Sequence, residues 1–168
     1  MIADASPLFG SGIRQNIESQ KGFNVVGEVA AFPHVISIAE REKPEVIILG
    51  LSGCDSGACE GVHTLTRYGS VLAVIHVDGT REALSHILKV FQAGAVGCID
   101  RMATEEELIY AVKAVATGRH VVSSVVAKAL IEEFLRFHQI TAGVGNTAVC
   151  ADRAGEPMRS SPVCDLGF

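Results

Sequence analysis

The residues of this chain that could do chemistry follow apolar stretches. Asp4 comes directly after the apolar start of the chain, and Arg101 comes shortly after a later apolar segment. The central apolar segment, Val46–Leu49, is followed by Gly50, which has no side chain. In an open parallel sheet, ligands bind beyond the carboxyl ends of the strands, so the residues at these ends decide which chemistry is available. A glycine after the central strand argues against a nucleophile there.

Two other groups of residues have some features of a metal or cofactor site. Cys54, Cys59 and His63 form a C-x4-C-x3-H run, and the last two could share one face of a helix. A structural zinc site needs four ligands, and a fourth is not apparent, so we expect no metal. The run Gly10-Ser11-Gly12 is similar to a phosphate-binding loop, but it falls inside a predicted helix rather than in a strand–helix turn. We therefore expect no flavin and no other cofactor.

Alternating strand and helix patterns must position these residues. Short apolar runs predict five strands, at residues 1–3, 23–29, 46–49, 71–75 and 97–99. An amphipathic segment follows each strand. The segment after the fifth strand begins with a capping box, Thr104-Glu105-Glu106-Glu107. Such short alternation is typical of parallel strands joined by right-handed crossovers. The predicted fold is therefore α/β, a doubly wound five-stranded parallel sheet with helices on both faces.

Three parts are expected along the chain. Its 168 residues, 48% of them hydrophobic, fit one globular domain with ample core, which we assign to residues 1–120. An extra C-terminal helix is expected within residues 121–138, with an apolar face through Leu130, Ile131 and Phe134. Residues 139–168 are rich in Gly, Ser, Pro and Asn without apolar periodicity, which predicts a flexible linker or tail.

Charge and cysteine content limit the surroundings and partners of the chain. The formal net charge of -5 argues against a nucleic-acid surface on these residues, because phosphate binding needs clustered Lys and Arg. Five cysteines without framework spacing favour reduced thiols, as in the cytoplasm. We find neither a signal peptide nor 18 consecutive apolar residues, so we expect a cytoplasmic protein without membrane contact.

Four segments in the same order resemble the receiver domain of bacterial response regulators, closest to the subgroup with a LuxR/NarL-type helix-turn-helix output domain. They are residues 2–9, 44–52, 93–99 and 104–108. The resemblance implies a flavodoxin-like receiver fold that works in two-component signal transduction. In that family a histidine kinase passes a phosphoryl group to an aspartate after the third strand. Two acidic residues hold Mg²⁺ beside it, and a hydroxyl and a lysine contact the phosphoryl group.

This chain departs from the family pattern at four of those five positions. The resemblance places Gly50 at the phosphoacceptor, Asp4 and Ala5 at the acidic pair, Ile75 at the hydroxyl and Arg101 at the lysine. Glycine cannot form an acyl phosphate, and one carboxylate alone should hold Mg²⁺ poorly. We therefore expect a degenerate receiver that is not an enzyme. Arg101 is expected to pair with Asp4 and close the pocket.

Such a receiver would act through protein contacts, and three questions remain open from the sequence. It could form a homodimer through the face of the fourth helix, fifth strand and fifth helix, or through the C-terminal helix. A DNA-binding output domain, absent up to Phe168, could be missing from this piece or lost. Two alternatives also stand: phosphorylation at a relocated aspartate, Asp55, or a small-ligand sensor. The candidate ligand pocket consists of Ala5, Gly50, Ile75, His76 and Arg101.

Overall fold

The computed structural model describes residues 1–30, 32–51, 56–76 and 80–144, and over these residues six strands alternate with six helices. The first half contains β1 (Ile2–Ala3), α1 (Pro7–Glu18), β2 (Glu28–Val29), α2 (Phe32–Glu42), β3 (Val46–Leu51) and α3 (Ser56–Leu65). The second half contains β4 (Ser70–Ile75), α4 (Arg81–Gln92), β5 (Gly97–Asp100), α5 (Glu105–Ala116), β6 (Val121–Val122) and α6 (Ser124–Val144).

The strands form one parallel sheet in the order β2-β1-β3-β4-β5-β6. The predicted doubly wound α/β fold is confirmed, with one strand more than predicted. The extra strand, β6, pairs Val121 and Val122 with the first two residues of β5. A strand of two residues is too short to show a period in the sequence, which is why the pattern did not indicate it.

Side chains from β3 alternate between two apolar layers. Ile47 and Leu49 pack with α2, α3, α4 and α6, whereas Ile48 packs with α1 and α5. This is the burial on both faces that the apolar run predicted. Because side chains alternate along a strand, position 50 falls on the same face as Ile48. β3 continues to Leu51, so Gly50 lies inside the strand rather than just after it.

The capping box before α5 is present as predicted. The Glu107 amide donates to Thr104 Oγ1 at 3.3 Å, and the Thr104 amide donates to a Glu107 carboxylate oxygen at 2.9 Å. These two bonds satisfy amides that the first helical turn leaves unpaired. They also define where the loop from β5 ends and α5 begins, next to Arg101.

The C-terminal segment packs on the sheet, in contrast to the expected boundary after residue 120. Val126 and Ala129 of α6 are buried in the same layer as α4. Ser123 Oγ accepts hydrogen bonds from the amides of Asp100, at 3.2 Å, and Val126, at 3.5 Å, and so links β5 to the start of α6. The helix continues to residue 144, into the expected tail, and residues 145–168 lie outside the described residues.

Candidate functional site

An ion pair between Asp4 and Arg101 lies at the carboxyl edge of the sheet. The guanidinium donates two parallel hydrogen bonds, from Nη1 to Asp4 Oδ2 at 2.9 Å and from Nη2 to Asp4 Oδ1 at 3.0 Å. The Ser6 amide donates a third to Asp4 Oδ1, at 2.7 Å. The side chains are 3% exposed for Asp4 and 21% for Arg101. The expected pairing of these two residues is therefore present, as a bidentate contact of the strong, charge-assisted kind.

A backbone hydrogen bond from each partner to the strand beside it, and a contact with α1, position Asp4 and Arg101. Asp4 follows β1 directly, and its amide donates to the Val29 carbonyl. The Arg101 amide donates to the Ile75 carbonyl at 2.9 Å and so continues the pairing of β4 with β5. The Arg101 guanidinium carbon lies 3.7 Å from the centroid of the Phe9 ring. Phe9 thus supports the guanidinium from α1 by a cation–π contact and holds it toward Asp4.

The Asp4 carboxylate occupies the space that a side chain at position 50 would need. A Cβ built on Gly50 would overlap Asp4 Oδ2, and it would lie 2.5 Å from Asp4 Cγ and 3.0 Å from Asp4 Cβ. Distances this short are well inside van der Waals contact. The missing side chain at position 50 and the ion pair are therefore one structural feature, since the pair in this geometry requires a glycine there.

Three residues of the predicted ligand pocket do not lie with Gly50 and Arg101. Gly50 and Arg101 meet at Asp4, but Ala5 and His76 are exposed to solvent. Ile75 is buried in the layer formed with α2, α3, α4 and α6, on the opposite face of the sheet. The register pairs Gly50 with Val74, and it is Val74 whose side chain lies on the α1 and α5 face. A shift of one residue along a strand reverses the face, which accounts for the difference.

A cavity of about 460 Å³ lies between α1 and the β5–α5 connection, beside the ion pair. It is lined by Ser6, Leu8, Phe9, Gly12, Ile13, Asn16, Val74, Ile99, Asp100, Arg101, Ala103, Thr104 and Leu108. Of the predicted pocket, it contains only Arg101. Phe9 and Ile13 line it from α1, and no motif in the sequence marked them as site residues. Gly12 lies between them and adds no side chain that would fill the space.

The remaining candidates for chemistry add no second centre to the described part of the chain. Asp55 and Cys54 lie outside the described residues, as does the side chain of Cys59, and His63 is exposed. The Gly10–Gly12 run lies within α1, as expected. Within the described ranges, no three His, Cys, Asp or Glu side chains come close enough together to hold a metal ion.

Cys98 of β5 is a fully buried free thiol. Burial raises its pKa to about 12, and the nearby charge of Asp100 adds to this effect. The thiolate is the reactive form of cysteine, so Cys98 is inert near neutral pH and serves as an apolar core residue. Among the described residues, no helix is both long enough and apolar enough to span a membrane.

Known proteins similar to this chain are response regulators. No family model matches the sequence. An uncharacterized transcriptional regulatory protein of Bacillus subtilis (strain 168), YxjL, is 30% identical over 142 residues, which cover 83% of this chain and 64% of that protein. The nitrate/nitrite response regulator NarP of Escherichia coli (strain K12) is 33% identical over 132 residues, covering 79% of this chain and 61% of NarP. The chain thus spans less than two thirds of the length of these relatives.

Solved structures of response regulators have the same fold as this chain. A two-component response regulator of the LuxR family from Aurantimonas sp. SI85-9A1 superposes with a TM-score of 0.71 at 25% identity, covering 80% of this chain and 96% of that one. The isolated receiver domain of RcsB from Salmonella enterica serovar Typhimurium superposes with a TM-score of 0.64 at 23% identity, covering 77% and 95%. The relatives and structural neighbours of this chain are therefore response regulators of the LuxR/NarL type. The chain itself has the α/β fold of their receiver domains.

Proposed function

We propose that this chain is a receiver domain of a response regulator that does not accept a phosphoryl group and that signals through protein contacts. The observation that carries the proposal is the Asp4–Arg101 pair, because it fills the space beside Gly50. A phosphoacceptor needs a carboxylate nucleophile within reach of a metal ion and of its charge partners. At this position the carboxylate is absent, and Asp4 is engaged by a guanidinium.

The same geometry argues against magnesium binding at the family position. Mg²⁺ is usually held by one or two carboxylates together with waters and phosphate oxygens. Both oxygens of Asp4 already accept hydrogen bonds, from Arg101 and from the Ser6 amide. A cation at this carboxylate would have to displace a buried, bidentate arginine.

Incubation with acetyl phosphate and Mg²⁺, followed by intact mass spectrometry, tests this proposal. We expect no gain of a phosphoryl group, while a response regulator with a complete acidic pocket gains one under the same conditions. If the chain does gain a phosphoryl group, the proposal is wrong, and the Asp55→Asn variant then decides between Asp55 and another acceptor.

The names of the relatives favour a role in transcription regulation. They include a transcriptional regulatory protein and several response regulators, all longer than the matching part of this chain. The proposed role is therefore that of the receiver part of a cytoplasmic regulator. DNA binding would belong to an output domain, since the net charge of -5 does not suit contact with phosphates.

Self-association through α6 is the partner contact that the packing favours. The resemblance suggested a dimer contact through the face of α4, β5 and α5. In this chain β6 and α6 pack against β5 and α4 and so cover part of that face. The outer side of α6 carries Ile131 and Leu135, each more than half exposed, one helical turn apart. Apolar neighbours of this kind on a surface helix favour burial against a second copy of the helix.

Light scattering during size-exclusion chromatography distinguishes a dimer contact through α6 from one through the face of α4, β5 and α5. Replacing Ile131 and Leu135 with Glu is expected to convert dimers to monomers. The control is Tyr110→Glu, which places one glutamate at an exposed aromatic side chain of α5, and each single variant, Ile131→Glu and Leu135→Glu, is its match in charge. If the chain is monomeric at high concentration, or if only the α5 variant dissociates it, the assignment of α6 is incorrect.

A further inference from the structure

We propose that the cavity between α1 and the start of α5 is a binding site for a small, flat, mainly apolar molecule that carries one carboxylate. This goes beyond the proposed function, which assigns no small-molecule ligand to the domain. The cavity volume of about 460 Å³ lies within the usual range for small-molecule sites, and its lining combines apolar side chains with a few polar groups.

The apolar part of the cavity comes from two strands and two helices. Val74 and Ile99 form its base on the sheet, while Ile13 of α1 and Leu108 of α5 border it on either side. All four side chains are more than nine-tenths buried although they line open space. Aliphatic side chains from the sheet and from both helices suit a flat aromatic ring system, which buries apolar surface on both of its faces, so a fused aromatic acid fits this lining.

Arg101 supplies an unused set of donors at the edge of the cavity. Its two bonds to Asp4 use one hydrogen of each Nη atom. Nε and the other Nη hydrogens make no hydrogen bond to the described residues. The guanidinium is mostly buried, and unpaired donors in such places are normally satisfied by water or by a ligand. A guanidinium can hold two carboxylates along different edges, because its five donors lie in one plane.

Asn16 provides a second polar group at the rim. It borders the cavity from α1, is half-buried, and its side-chain amide makes no hydrogen bond to the described residues. A carboxylate beside Arg101 and a hydrogen-bonding group beside Asn16 would give a ligand a single orientation. Asp100 also lines the cavity, and its Oδ1 accepts a hydrogen bond from the Met102 amide at 2.8 Å, whereas Arg101 keeps donors without a partner among the described residues. The apolar base, the donors of Arg101 and the Asn16 amide are the reason for assigning an aromatic acid rather than a neutral apolar molecule.

Gly12 allows the cavity to be filled without disturbing its walls. It lies on α1 and lines the cavity, and a Cβ built on it would meet no atom within 4 Å. Gly12→Leu should therefore place a side chain in the open space. Ser11→Leu is the matched control, because it adds a leucine at an exposed position of the same helix that does not line the cavity.

Methyl NMR of the whole 168-residue chain tests the proposal, with 2-naphthoate as the probe. Titration is expected to shift the methyl signals of Ile13, Ile99 and Leu108 saturably, with a dissociation constant of about 1 mM or lower for a ligand of this size. Signals of Ile47 and Leu65, on the other face of the sheet, should stay in place. The neutral analogue 2-naphthamide should bind at least about tenfold more weakly, because it lacks the charge-assisted contact.

The variants and controls decide the outcome. Gly12→Leu should abolish the shifts and Ser11→Leu should retain them. The proposal is overturned if 2-naphthoate causes no saturable shift, if the amide binds equally well, or if Gly12→Leu still binds. It is also overturned if the same methyl signals depend on protein concentration alone, since the cavity would then be a contact between copies. A phosphoryl gain in the acetyl phosphate assay would remove the proposed function but leave this site.

Discussion

Replacing Gly50 with Ala is expected to destabilise the protein by about 2.5–4.5 kcal/mol. Adding a methyl group to a packed site commonly costs about 1–3 kcal/mol. Here the methyl group would overlap Asp4 Oδ2, so the carboxylate must move away from Arg101. Weakening one hydrogen bond to a charged group adds about 1.5 kcal/mol, the lower end of the usual range, because Arg101 can turn toward water.

A double-mutant cycle with Asp4→Ala isolates this overlap. That variant alone should cost about 3 kcal/mol, since it leaves a mostly buried guanidinium without its anion. It also removes the two atoms that a side chain at position 50 would meet most closely, leaving Asp4 Cβ at 3.0 Å. A shift of a few tenths of an ångström then suffices. The double variant should be more stable than the sum of the single effects predicts, by at least about 1 kcal/mol.

Urea denaturation measures the free energy of unfolding of each variant. The midpoints can be compared if the m-values are unchanged. Gly12→Ala is the matched control, because a Cβ at this helical position meets no atom within 4 Å. It should stabilise the protein by about 0.5–1 kcal/mol, as expected when alanine replaces glycine in a helix. If Gly50→Ala is as stable as the parent chain, or if the effects of Gly50→Ala and Asp4→Ala add, Asp4 does not fill the space at position 50.

Three further outcomes are expected. Gly50→Asp should gain no phosphoryl group from acetyl phosphate by intact mass, because the new carboxylate would compete with Asp4 for the same space and for Arg101. Thr104→Ala should lower the unfolding free energy by about 1 kcal/mol in urea, through loss of the capping box. Burial and the charge of Asp100 raise the pKa of Cys98 from 9.0 to about 12, so the native state keeps a proton that the unfolded state loses. Stability should therefore fall as pH rises from about 9 to 12, by up to about 4 kcal/mol, and Cys98→Ala should reduce this slope in urea midpoints measured against pH.

The sequence allowed the fold to be predicted because its signals are local. The apolar run in β3 and the capping box before α5 each specify an element without reference to the rest of the chain. β2 is the counterexample, since a strand was predicted over residues 23–29 and only Glu28 and Val29 form one. Phe23 and Val25 still pack against the core. Apolar alternation reports burial of side chains, and it does not report whether a neighbouring strand accepts the hydrogen bonds.

The candidate site was only partly predictable, because its geometry depends on register between strands. Asp4 and Arg101 were identified from the resemblance to receiver domains, and their pairing was expected from their proximity in that fold. Ile75 was placed in the pocket, although the pairing of Gly50 with Val74 turns it to the other face. The overlap at Gly50 depends on the position of the Asp4 carboxylate in three dimensions, for which a linear pattern contains no signal.

Gly50 and Arg101 support one another physically. With an aspartate at position 50, two carboxylates would compete for one site, and the bidentate pair could not form as it stands. With glycine there, Asp4 would be a buried carboxylate lacking a charge partner, if Arg101 did not supply two donors. Under the proposed function, this pair contains no group that phosphorylation switches. A domain of this kind changes conformation only if something binds two of its states unequally, so the proposal requires an input at a surface or cavity other than the Asp4–Arg101 pair.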